Sequence, residues 1–108
     1  MNKIKLVINN ETKKNEREKF FIKQELQSIL NLYAKMVSNG SWKDYSFTSS
    51  IKEVSFDVYQ RASEKPVLRI LKNLKPRYFN EKYLIKDKNG AILKKSENLN
   101  QLISKTSW

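Results

Sequence analysis

The stretch FIKQELQSILNLYAKMVSNGSWKDYSF, residues 21–47, decides the fold class because it contains a helical pattern, a helix stop and the start of a strand in succession. Asn39 and Gly40 tolerate the left-handed backbone that ends many helices. Before them, apolar residues recur at spacings of three and four, which is typical of one face of an amphipathic helix. These residues are Ile22, Leu26, Ile29, Leu30, Tyr33, Met36 and Val37.

The start of this helix is open between two positions. It begins either near Asn15, where Glu18 completes a capping-box pattern, or near Ile22. Residues 1–14 contain one short apolar stretch, IKLVI, which suits either a frayed tail or an edge strand. We predict a mostly mobile tail over these residues, followed by a single α+β domain at 15–108.

The middle of the chain has the composition of antiparallel strands. DYSFTS and VSFDVYQR are rich in aromatic and β-branched residues, and in the second segment Val54, Phe56 and Val58 alternate with less apolar residues. This alternation predicts a half-buried strand. ASEK before Pro66 predicts a turn, and VLRILKNL predicts another strand, with Arg69 on the face opposite its apolar neighbours.

The segment KYLIKDKNGAILKKS predicts a final hairpin whose register depends on its turn. A two-residue Asn-Gly turn would place Ile85 opposite Lys94 and leave neither face apolar. A three-residue loop over 88–90, with Gly90 left-handed, would instead align Leu93 with Ile85 on one face. We predict the three-residue loop and this alignment.

The end of the chain predicts a short helix. Ser96 is the expected cap, since Leu99, Leu102 and Ile103 follow at helical spacing, and Trp108 closes the chain. The predicted fold is α+β: a long N-terminal helix, a four- or five-stranded antiparallel sheet and a short C-terminal helix. One face of the sheet is expected to stay free.

Composition argues against most catalytic and metal chemistry. The chain has no cysteine and no histidine, which removes disulfides, thiolate sites and the usual transition-metal ligands. The carboxylates Asp44, Asp57 and Glu64 lie on different predicted elements, and neither Gly40 nor Gly90 belongs to a glycine-rich phosphate loop. We therefore expect a protein that is not an enzyme and has no cofactor or metal.

Hydrophobic patterning bears on location. The longest apolar run is only a few residues, and the N-terminus lacks the apolar core of a signal peptide. The absence of cysteine fits a reducing compartment. We expect a cytoplasmic protein with no membrane partner.

The formal net charge of +11 is unevenly distributed along the chain. Eighteen of the 22 basic residues are lysine, so a genome of A/T-rich codons explains part of the excess. Residues 65–95, however, contain ten basic and two acidic side chains, a net charge of +8. This concentration favours an anionic partner for that segment.

Aromatic rings interleave with the cations in LKNLKPRYFNEKYLIK. This pairing is typical of proteins that bind single-stranded nucleic acid, because cations follow the phosphates and rings stack on bases. We predict single-stranded RNA or DNA as the partner. The alternative is a solvated basic loop with Phe79 and Tyr83 in the core. The candidate binding residues are Arg61, Arg69, Lys72, Lys75, Arg77, Tyr78, Lys82 and Lys86.

Two interpretations remain open for the turn QRASEKP. Arg61 and Glu64 either form a local ion pair that holds the turn, or Arg61 and Arg69 together bind an anion such as phosphate.

The segment NGSWKDYSF also has two interpretations. A short helix-to-strand connection favours Trp42 as a buried packing corner, with Tyr45 and Phe47 on one side of the strand. Alternatively, Trp42, Tyr45 and Tyr59 form the contact surface of a protein-interaction subunit or adaptor, since such rings are favoured at interface hot spots.

Three stretches, LNLYAKMVSNGSWKDYSF, VSFDVYQRASEKPVLRILKN and GAILKKSENLNQLI, resemble the domain-of-unknown-function 2794 family of small alphaproteobacterial proteins. The shared features are a helix-Gly-x-Trp-[Lys/Arg]-Asp-Tyr segment and an Arg-Ala-Ser-Glu turn, and the resemblance covers about residues 20–104. It implies a cytosolic bacterial protein and transfers no catalytic residue. The family usually has arginine at Lys43 and Gln60, so a guanidinium role there is not supported.

Overall fold

A computed structural model describes residues 19–61 and 65–108. The tail predicted for 1–14 and the helix start near Asn15 lie outside these residues. The elements in chain order are helix α1 (Lys23–Ser38), strands β1 (Asp44–Ser49), β2 (Glu53–Tyr59), β3 (Leu68–Asn73), β4 (Tyr83–Asp87) and β5 (Ile92–Ser96), and helix α2 (Leu99–Lys105), with a 3-10 turn (Phe79–Glu81) between β3 and β4.

The five strands form one antiparallel sheet in the order β1-β2-β3-β4-β5, so each strand pairs with its neighbours in sequence. The predicted α+β class is confirmed, with five strands rather than four. Residues of α1 and α2 pack with the apolar residues of one sheet face, which we call the helix face. No helix in the described ranges has the length and hydrophobicity needed to cross a bilayer.

Helix α1 begins at Lys23, with Ile22 as its N-cap residue. Ile22 has no side-chain acceptor for the N–H groups of the first turn. In the reverse direction, Glu25 reaches back and its Oε1 accepts the Ile22 backbone N–H at 2.8 Å. The predicted stop is also confirmed, because Gly40 has φ +82 and its N–H donates to the Val37 carbonyl at 3.0 Å.

Trp42 forms the corner between α1 and the sheet. Its side chain is 4% exposed, and its ring centroid lies 5.7 Å from that of Trp108 and 6.2 Å from that of Tyr33. The prediction of a packing corner is confirmed. Tyr45 and Phe47 also share one side of β1, with ring centroids 5.7 Å apart.

The centre of the core is a row of side chains across three strands. Ile70 on β3 lies opposite Phe56 on β2 and Ile85 on β4, and all three are fully buried. Burying each side chain of this size contributes about 1.5–3 kcal/mol. The same register puts Arg69 on the opposite face, as the sequence predicted.

The β4–β5 hairpin has the predicted loop but not the predicted register. Gly90 is left-handed, with φ +84, and the Asp87 N–H donates to the Ala91 carbonyl at 3.0 Å around a three-residue loop. The alignment of Leu93 with Ile85 is wrong, however, because a bulge shifts the ladder and pairs Ile85 with Lys94. Leu93 is therefore displaced to the outside, where it is half-exposed.

The cap of α2 also differs from the prediction. Asn98, not Ser96, is the N-cap residue, and its Oδ1 accepts the Gln101 N–H at 3.0 Å. Ser96 supports this turn from outside, because its Oγ accepts the Asn98 N–H at 3.1 Å. After the helix, the Trp108 indole N–H donates to the Ile103 carbonyl at 2.8 Å.

Candidate nucleic-acid interface

The segment between β3 and β4, which we call the 74–82 loop, is held in place by backbone hydrogen bonds at its base. The Asn73 N–H donates to the Lys82 carbonyl at 2.7 Å, and the Leu74 N–H donates to the Lys52 carbonyl at 2.8 Å. The second bond joins the loop to the turn between β1 and β2. The loop backbone is thus tied to two other parts of the sheet.

The distal half of the loop is ordered by the 3-10 turn Phe79–Glu81. The Glu81 N–H donates to the Tyr78 carbonyl at 3.0 Å, and the Glu81 carboxylate lies 3.8 Å from the Lys95 ammonium on β5. This ion pair is partly exposed and therefore adds little stability. The Glu81 bond fixes the backbone of this half of the loop.

Two aromatic side chains of this loop point into solvent. Tyr78 is 61% exposed and Phe79 is 81% exposed. The interpretation that placed Phe79 in the core is wrong, whereas Tyr83 is buried as that interpretation expected. The two exposed rings are thus adjacent on a loop whose backbone is tied to the sheet.

Cations flank these two rings. Lys75 and Arg77 are both exposed, and neither forms an ion pair with a carboxylate of the described residues. The neighbouring β1–β2 turn adds the exposed Lys52 and Ile51. The 74–82 loop and this turn therefore form one basic and apolar end of the sheet, and sequence reasoning missed the turn because its proximity depends on strand pairing.

Lys72 does not belong to this surface. Its side chain is only 7% exposed and lies on the helix face, where Nζ is 2.8 Å from Glu25 Oε1 and donates to the Phe20 carbonyl at 3.0 Å. The prediction that Lys72 contacts nucleic acid is not supported by this placement, because its ammonium is already paired and out of reach of a surface ligand.

Glu25 is the centre of a buried network that the sequence did not reveal. Beyond the Lys72 ammonium and the Ile22 N–H, it accepts a hydrogen bond from the Tyr83 hydroxyl to Oε2. Burial and this carboxylate raise the pKa of Tyr83 well above its ordinary value. The network attaches the first turn of α1 to β3 and β4.

Arg69 and Lys86 lie opposite each other on β3 and β4, on the sheet face away from the helices. Arg69 is engaged in a second polar network, in which Nε donates to Asp57 Oδ1 at 2.9 Å and Nη2 donates to Ser55 Oγ at 3.0 Å. Its positive charge is therefore largely matched by Asp57.

Asp57 is only 3% exposed, and its buried carboxylate is surrounded by hydrogen-bond donors. Thr48 Oγ1 donates to it at 2.6 Å and Ser55 Oγ at 2.7 Å, in addition to Arg69. The prediction of a half-buried β2 is wrong at Ser55 and Asp57, which are both buried on the face away from the helices. A carboxylate with this many donors serves to hold three strands together and has little remaining capacity for a ligand.

Lys82 and Arg61 complete the predicted set. The Lys82 ammonium lies 5.5 Å from the centroid of the Tyr83 ring, at the end of the 74–82 loop. Arg61 follows β2 at the opposite end of the sheet, and its predicted partner Glu64 lies outside the described residues. The structure thus brings together Lys75, Arg77 and Tyr78, with Lys82 beside them, and separates the others.

The alternative partner surface is not one continuous patch of exposed rings. Trp42 is buried, and the Tyr59 hydroxyl is 3.0 Å from Ser46 Oγ on the neighbouring strand. Tyr45 is 40% exposed and packs against Tyr33, with ring centroids 4.8 Å apart.

Comparison with known proteins gives one match. The family described as "Protein of unknown function (DUF2794)" matches residues 19–103, which is most of the chain. No curated protein and no solved structure shows significant similarity to this chain.

Proposed function

We propose that this chain, which belongs to the DUF2794 family, is a non-enzymatic protein that binds single-stranded RNA or DNA through the 74–82 loop. The observation that carries the proposal is the exposure of Tyr78 and Phe79 on a loop whose backbone is tied to the sheet. Rings held in this way stack on unpaired bases without first losing contacts to the protein.

The charge around the rings supports the same partner. Lys75 and Arg77 lie within four residues of both rings in sequence, so cations accompany the rings as in proteins that bind single strands. Pro76 fixes its own φ and disfavours helical backbone at Lys75. Since a duplex has its bases already stacked on one another, this surface is expected to prefer single strands.

The test is fluorescence anisotropy of labelled single-stranded oligonucleotides, with a duplex of the same sequence for comparison. Replacing both rings, Tyr78→Ala with Phe79→Ala, should weaken binding by at least about 30-fold, because each stacked base contributes about 1–3 kcal/mol. Replacing both cations, Lys75→Gln with Arg77→Gln, should also lower the slope of log K against log salt by about 1.4, since each phosphate contact to a single strand contributes about 0.7.

The matched control is Lys65→Gln with Lys88→Gln. These lysines are also exposed, but Lys65 precedes β3 and Lys88 lies in the β4–β5 turn, so both are at the other end of the sheet. The control changes the net charge equally and should leave affinity nearly unchanged. If the control weakened binding as much as Lys75→Gln with Arg77→Gln does, only the total charge would matter, and the proposal would be wrong. A preference for duplex, or no binding at about 50 mM salt, would also overturn it.

A further inference from the structure

The two edges of the sheet differ in how they are protected against pairing with another strand. β5 is interrupted by a bulge and carries Lys94 and Lys95, which are features that discourage strand addition. β1 has the sequence DYSFTS, with no lysine, arginine or proline, and it pairs only with β2 among the described residues. Within residues 19–61 and 65–108, no strand pairs with its outer edge.

The hydrogen-bond phase of β1 shows which backbone groups face outward. The Ser50 N–H donates to the Glu53 carbonyl at 2.8 Å, at the end of the β1–β2 ladder. Because alternate residues of an antiparallel strand bond the same neighbour, the N–H and C=O groups of Tyr45, Phe47 and Ser49 point away from β2. The Tyr45 N–H is accordingly bonded to the Asp44 side chain, at 2.8 Å.

Apolar side chains border this outer edge. Tyr45 and Phe47 on β1, and Leu30 and Val37 on α1, are each between 37% and 41% exposed. Tyr33 connects the apolar residues of α1 with those of β1, since its ring packs on that of Tyr45. On α1, apolar residues spaced three and four apart form a row that includes no charged residue. They are Leu26, Leu30, Tyr33 and Val37.

We propose that this edge binds a second copy of the same chain, with the two β1 strands antiparallel and centred on Phe47. All outward-facing residues are then in register, since Phe47 pairs with its symmetry mate and Tyr45 pairs with Ser49 of the other copy. This pairing is isologous, as a two-fold dimer requires, and it makes one ten-stranded sheet.

Charge and side-chain packing favour a second copy as the occupant. The two copies each carry +11, but only Asp44 is charged on β1, so the strand pairing brings no lysines together. Helix α1 lies on the same face in both copies, so the two uncharged rows of α1 approach each other over the seam. The Phe47 rings form a cross-strand aromatic pair beneath them.

The experiment measures molar mass by light scattering after size exclusion, with full-length protein loaded at about 10–200 µM in enough salt to screen the net charge. We expect a mass of twice 12.8 kDa at the higher concentrations. Ser49→Pro removes an outward N–H without removing a bond to β2, and should weaken the dimer by about 30-fold because the bond is lost twice.

Ser49→Ala is the matched control, since it removes the hydroxyl and keeps the N–H, and it should remain dimeric. Circular dichroism verifies that both variants are folded. The proposal is overturned by a monomer at every concentration, or by a dimer that Ser49→Pro leaves unchanged. It is also overturned by a monomer whose Phe47 amide resists hydrogen exchange, because the outward N–H would then be protected within a single chain.

Discussion

Replacing Lys72 with methionine tests the buried network beneath α1. Methionine is similar in length to lysine, so the change removes the ammonium while leaving most of the packing volume. It leaves the Glu25 carboxylate, whose side chain is 9% exposed, without its cation. Breaking a buried ion pair from one side costs about 3–5 kcal/mol. This is a large fraction of the 5–15 kcal/mol by which a domain is typically stable.

The loss should shrink when Glu25 is neutralised as well. Lys72→Met combined with Glu25→Gln leaves no charge in this network, and the glutamine oxygen still accepts from the Ile22 N–H or the Tyr83 hydroxyl. The remaining cost is that of imperfect hydrogen bonds, about 1–2 kcal/mol. The double variant should therefore be more stable than Lys72→Met alone.

Urea denaturation at pH 7, followed by the tryptophan fluorescence of Trp42 and Trp108, measures these free energies of unfolding. Lys75→Met is the control, because Lys75 is exposed and should change stability by no more than about 0.5 kcal/mol. Below its unfolding transition, Lys72→Met should keep its affinity for oligonucleotides. Equal destabilisation by Lys72→Met and Lys75→Met would refute the placement of Lys72 inside the protein. So would a loss of oligonucleotide affinity in folded Lys72→Met as large as that in Lys75→Met.

Three further predictions concern stability. Because the folded-state pKa of Tyr83 is raised, its hydroxyl stays protonated in the folded protein at a pH where it ionises in the unfolded chain. The free energy of unfolding should therefore fall as pH rises above about 10. Tyr83→Phe should make this fall smaller in urea titrations. Trp42→Ala should lower the free energy of unfolding by about 3–5 kcal/mol, measured by circular dichroism, and a loss below about 1 kcal/mol would contradict its burial. Gly90→Ala should cost about 1–2 kcal/mol because of its left-handed φ, with Gly90→Asn less costly; equal melting temperatures for all three proteins would argue against that turn.

Features that depend on neighbours in sequence were predictable. The end of α1 at Gly40 and the loop containing Gly90 follow from the few residues that adopt positive φ, and both glycines have it. β1 was predicted with its observed bounds, Asp44–Ser49, because its aromatic and β-branched residues follow a clear helix stop. In each case the signal lies within about ten residues, where backbone sterics decide the outcome.

The candidate site was predictable only in part. Lys75, Arg77 and Tyr78 are adjacent in sequence and remain together in the structure. Lys72 is three residues away, yet strand alternation turns it to the helix face, where it meets a carboxylate 47 positions earlier in the chain. A lysine in a strand pattern is normally read as exposed, and nothing local indicates a distant partner.

The sequence by itself thus determined the α+β class, the order of helices and strands and the basic character of the 65–95 segment, because these follow from periodicity, turn chemistry and composition. Only the tertiary structure decided that Phe79 is exposed while Tyr83 is buried, that a bulge displaces Leu93, and that Asp57 and Glu25 sit in buried networks. The physical reason is that burial and ion pairing depend on which surfaces meet, and strand register brings together residues that are far apart in the chain.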